Sequence, residues 1–100
     1  MSNKGPYALE IKVVRAEGAC TAGHRLGDTY TIPGGTEKLE IQGGGICIHA
    51  VAGMISKILA MRYGVEFWWA EDPDVDETTC PDSRNLHVFQ IRRIREVPEE

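Results

Sequence analysis

Residues 8–16 alternate between apolar and polar side chains. Leu9, Ile11 and Val13 fall on one side of an extended chain, and Glu10 and Lys12 on the other, which predicts a half-buried strand. Gly18 to Gly27 reads as a loop. Asp28 to Ile32 (D-T-Y-T-I) then predicts a second strand, stopped by Pro33-Gly34-Gly35, and Leu39-Glu40-Ile41 a short third one. Gly43-Gly44-Gly45 breaks the alternation, and residues 49–63 take up helical spacing. On this helix Gly53, Ser56, Lys57, Ala60 and Gly64 line one narrow stripe, whose small members leave room for a strand or another subunit to approach closely. Val51, Ile55, Ile58, Leu59 and Met61 occupy the remainder, so the helix is expected to be buried over most of its circumference. Arg62 and Gly64 suit its C-terminal end.

Beyond the helix, Phe67-Trp68-Trp69 leads into an acidic run from Glu71 to Glu77. Residues 75–80 predict another strand, Pro81 to Asn85 a turn, and residues 86–95 a last strand with Val88, Phe89, Ile91 and Ile94 apolar. Strands, one helix and further strands predict an α+β domain. Its sheet is mostly antiparallel, with the helix packed on one face. The chain of 100 residues makes a single domain over 1–100, with its ordered core at about 7–96 between a loose leader and a frayed V-P-E-E tail.

Composition narrows the function classes. A formal net charge of -4 disfavours non-specific nucleic-acid binding. The longest uncharged stretch, Ile41 to Ser56, is too short and too glycine-rich to cross a bilayer. The chain starts without the charged and apolar regions of a secretory signal, and three cysteines cannot all pair with one another. A reduced, cytoplasmic setting is therefore expected.

The candidate chemistry lies in three clusters that bring together three cysteines and three histidines. Cys20 and His24 form C-T-A-G-H, Cys47 and His49 form C-I-H, and Cys80 opens C-P-D with His87 seven residues on. Thiolate sulfur and imidazole nitrogen together suit zinc, which takes four such ligands in a tetrahedron. Cys20, Cys47, Cys80 and His24 would make a Cys3His set, with His49 as the alternative fourth ligand. An iron–sulfur cluster fits less well, because its usual cysteine spacings are missing. Against this stands the plain reading of each cysteine as a small buried hydrophobe, reinforced by the lack of a paired C-x-x-C.

Two further readings start from the same residues. In G-G-G-I-C-I-H the glycines precede a helix N-terminus, where the dipole favours the thiolate of Cys47 and a histidine such as His49 or His24 would serve as base. That describes a thiol enzyme or redox protein, although the phosphatase C-x5-R is absent, with Gly53 in the arginine's place. The other alternative is an interaction module, with an unidentified protein partner or a homo-oligomer, in which Trp68 and Trp69 are a contact surface or merely close one end of the core. Asp72, Asp74 and Asp76 imitate a calcium loop, but Glu77 replaces its glycine and Ser83 its terminal glutamate, so that reading fails. Arg84, Arg92, Arg93 and Arg95 are expected to answer the acidic run rather than to bind RNA, and His87 to face solvent.

Taken in order, Cys20-x-x-Gly23-His24-x-x-Gly27-Asp28, a central Cys47 before a helix, A-M-R-Y-G at 60–64, Glu71-Asp72-Pro73-Asp74 and Cys80-Pro81-Asp82 resemble a family of small prokaryotic proteins of uncharacterised function. The resemblance covers roughly residues 9 to 95 and departs at Ile48, where the family carries proline. It implies no reaction, substrate or cofactor, and it points to the same three cysteines and His24.

Overall fold

The computed structural model describes residues 6–17, 23–79 and 86–95. The leader, Cys20, Cys80, the Pro81–Asn85 turn with Arg84 and the tail lie outside these residues. The elements are β1 (Ala8–Ala16), β2 (Thr29–Ile32), α1 (Ile48–Arg62), β3 (Val75–Thr79) and β4 (His87–Ile94). All three strand pairs are antiparallel, in the order β2-β1-β4-β3, and α1 packs on one face of the sheet. The expected α+β architecture is the one observed.

The register shows why these residues share a core. Ile11 lies opposite Tyr30 on one side and Ile91 on the other, and Val13 lies opposite Phe89. Leu9, Ile11, Val13, Ile32, Phe89 and Ile91 thus form one buried face, and Ala50, Met54, Ile58 and Met61 of α1 close over it. Each large side chain so buried contributes about 2–3 kcal/mol relative to exposure. The opposite face carries Glu10, Lys12, Thr31, Gln90 and Arg92, so the alternation of β1 and β4 sorts the sheet into an apolar and a polar side. A bulge between Val13 and Arg15 shifts the register near the end of β1.

Three expectations are corrected. Residues 39–41 form no strand; only Gln42 makes a single bridge, to Thr31. Gly43 follows with φ 121°, and a Cβ there would sit 2.6 Å from the Thr29 carbonyl oxygen, so the ladder ends as soon as it begins. The helix is not buried most of the way round: Ile48, Ile55 and Leu59 are 76 %, 43 % and 61 % exposed. One sheet covers only one side of a helix, and the glycine–serine side around Gly53 also faces open space. His87 does not face solvent; it is 1 % exposed. It continues the inward alternation of Phe89 and Ile91 along β4.

The C-terminal end of α1 is closed by its own chain and by β4. Tyr63 is the cap, Gly64 at φ 92° donates to the Met61 carbonyl, and Val65 N–H reaches the Ala60 carbonyl at 3.0 Å, which is a Schellman motif. Arg93, whose side chain is fully buried, donates to the carbonyls of Met61 (2.8 Å), Val65 (2.9 Å) and Pro73 and to Asp74 Oδ1 (3.1 Å). Arg95 joins Asp74 to Glu66. Arg93 and Arg95 thus answer Asp74 of the acidic run, Arg93 from inside the core, whereas Arg92 makes no ion pair among the described residues and Arg84 lies outside them.

This network fixes an acid sensitivity. Burial pushes the Asp74 carboxyl up, and the hydrogen bonds and charges of Arg95 and Arg93 more than offset it, leaving it below the usual 3.8. A carboxylate depressed in the folded state stabilises the fold above its unfolded value, and that contribution is lost as pH falls through its folded value. Unfolding free energies from urea titrations between about pH 5 and about pH 2 should therefore fall more steeply for the native chain than for Asp74→Asn. Equal slopes would remove Asp74 from the account.

Candidate functional site

His24 sits in the turn between β1 and β2. Asp28 N–H donates to the Arg25 carbonyl (3.0 Å), Arg25 N–H donates to Asp28 Oδ2 (2.9 Å), and Gly27 takes φ 93°. G-H-R-L-G-D is thus a closed turn braced by its own aspartate, as its sequence implies. The turn directs the imidazole inward, 7 % exposed, edge-on to Phe89 (5.3 Å, 89°) and to Tyr30 (5.9 Å, 87°).

Both ring nitrogens of His24 are engaged. Cys47 N–H can only donate, and it lies 2.9 Å from Nε2, which must accept. The ring proton is therefore assigned to Nδ1, which donates to Tyr30 Oη at 3.0 Å. The tyrosine hydroxyl donates in turn to the Gly45 carbonyl at 3.0 Å. The chain Cys47–His24–Tyr30–Gly45 ties the glycine run and the start of α1 to β2 with every donor matched to an acceptor. Tyr30 is the member that motif reading passed over. Its signal was present, because D-T-Y-T-I places it on the same side as Ile32, and a buried tyrosine hydroxyl needs a partner.

Cys47 is the N-cap residue of α1, half-buried against the core, with no side-chain capping bond. Its N–H is held by His24, and its carbonyl accepts Val51 N–H at 3.0 Å. The backbone is thereby fixed while the thiol is left as a free cysteine. His49 is exposed in the first turn of the helix. In this arrangement His24 has no lone pair to offer the Cys47 thiol, so it does not act as the base of a thiol centre. It holds the Cys47 backbone N–H instead.

Cys20 and Cys80 lie outside the described residues, but the strands to which their segments attach do not. Ala16 lies opposite His87, Glu17 N–H donates to the Leu86 carbonyl at 2.7 Å, and Thr79 lies opposite Val88. These positions share one end of the sheet. α1 begins toward the same end, where His24 touches Phe89, and finishes at the other, where the Arg62 carbonyl accepts Tyr7 N–H at 2.7 Å. Among the described residues no group of three or more His, Cys, Asp and Glu side chains is placed to hold a metal ion. Nor, among them, is any helix long and apolar enough to cross a membrane. Neither a protein family, nor a curated protein, nor a solved structure matches the chain.

Proposed function

We propose that the protein is a small metal-binding module, structural or accessory to a larger assembly, that holds zinc through the thiolates of Cys20, Cys47 and Cys80. His49 is the fourth ligand, and His24 orients Cys47 from behind. One observation carries the reading. The last described residues before Cys20 and Cys80, Glu17 and Thr79, leave the sheet at the end where Cys47 opens α1. The donor set also suits the ion, since thiolate and imidazole are zinc's usual structural ligands. His49 is favoured over His24 because both nitrogens of His24 are spent on Cys47 and Tyr30, whereas His49 is exposed two residues from the Cys47 thiol. A reduced, cytoplasmic setting would keep the three thiols available to the metal.

The test is elemental analysis of protein purified without tag or chelator. About one zinc per chain is expected. It should be lost in Cys20→Ser and Cys80→Ser and weakened at least tenfold in His49→Ala, measured by competition with a chromogenic chelator. Metal-free protein that also fails to take up added zinc would end the proposal. Zinc retained in both serine variants would end it equally.

A further inference from the structure

We propose that Trp68 is the anchor of a docking surface for a cationic peptide segment, one that presents arginine or lysine side chains. The inference is independent of the metal reading and concerns the opposite end of the helix. Trp68 is 90 % exposed, so this chain supplies almost nothing to cover its indole. The ring nevertheless rests against an anchored neighbour. Phe67 packs on the core and stacks against Trp69 with centroids 4.7 Å apart and planes within 5°. Trp69 Nε1 donates to Asp76 Oδ1 at 3.3 Å, and Trp68 meets Trp69 edge to face at 5.8 Å. An uncovered indole of this kind is the residue type that dominates binding surfaces.

Charge decides the partner. From Val65 to Thr79 the chain carries six carboxylates and no basic residue. Glu66 and Asp74 are answered by Arg95 and Arg93, and Asp76 by Lys57 at 3.1 Å. Glu71 and Asp72, three and four residues from Trp68, have no ion-pair partner among the described residues. A turn brings the chain round at this point, with Ala70 N–H on the Phe67 carbonyl at 3.1 Å. The face of an indole attracts cations through its quadrupole, and the exposed carboxylates three and four residues along the chain add to that attraction. A nucleic acid would instead bring phosphates against Glu71 and Asp72, so base stacking on Trp68 is disfavoured. A guanidinium stacks on the ring and pairs with a carboxylate at the same time, which a neutral apolar segment does not.

The probe is a synthetic peptide of alternating arginine and glycine, titrated at about 0.15 M salt while indole fluorescence is followed, with heat of binding as a second readout. Saturable binding is expected, weakened roughly tenfold by Trp68→Ala, although that variant leaves the net charge unchanged. Glu71→Gln with Asp72→Asn should also weaken it and flatten its salt dependence. An exposed ring does not hold the fold, so Trp68→Ala should melt at the native temperature, which separates lost binding from lost structure. No saturable binding by the native protein would overturn the proposal. Equal affinity in Trp68→Ala, or equal binding of a glutamate–glycine peptide, would do so too.

Discussion

Replacing Arg93 with methionine is expected to lower the unfolding free energy by about 3 kcal/mol. A domain of this size would then melt roughly 15 °C lower. The expectation follows from where the guanidinium sits. It is fully buried and serves three carbonyls and one carboxylate. Methionine fills most of the space but donates to none of them. The Met61 carbonyl keeps Gly64 N–H, and Asp74 keeps Arg95. The carbonyls of Val65 and Pro73, in exposed residues, lose a charge-assisted donor, and a hydrogen bond to a charged group contributes about 1.5–3 kcal/mol. Arg93→Lys keeps the charge but not the planar fork, so it should recover only part of the loss. Urea midpoints of the three proteins check this. A methionine variant within about 0.5 kcal/mol of native, a change typical of unimportant surface sites, would mean that the network contributes little.

His24→Ala is expected to cost a similar amount, about 3 kcal/mol, from a different source. The substitution opens a cavity between Tyr30 and Phe89 and orphans Cys47 N–H, while the tyrosine hydroxyl keeps the Gly45 carbonyl. Tyr30→Phe should cost less, about 1 kcal/mol, and a double-mutant cycle between the two should show coupling of about 1 kcal/mol. The measurement has a second use. A residue that positions Cys47 through its backbone stabilises the fold with or without metal. The gap in melting temperature between native and His24→Ala should therefore persist in excess chelator. If chelation closes the gap, His24 is itself a ligand and His49 is not needed.

Much of the fold could be read from the chain because the apolar face of the sheet follows a period of two. Leu9, Ile11 and Val13 announce β1, and Phe89 and Ile91 announce the inward side of β4. The same rule, carried two residues in each direction, places His87 and Arg93 inside. Reading residue type instead of position sends His87 to the surface and leaves the depth of Arg93 unseen, since histidine and arginine are mostly exposed residues. The exposure of Ile48, Ile55 and Leu59 was hidden for the opposite reason. An apolar residue announces burial, but nothing in a sequence says that a single sheet has only one side to offer a helix. At the site, G-H-x-x-G-D marked the turn that carries His24, whereas Cys20 lies outside the described residues. That the imidazole would spend its lone pair on a backbone N–H 23 residues away depends on tertiary packing alone.

The strand order also leaves β3 paired on one side only among the described strands. A strand edge of this kind is a template for another chain, but here the Glu77 carbonyl already accepts Lys57 Nζ at 2.7 Å. The strand's sequence is V-D-E-T-T, in which Asp76 is paired with Lys57 of α1 and Glu77 is exposed. A lysine laid over the edge, an exposed carboxylate and few apolar groups disfavour pairing of that border with a second chain.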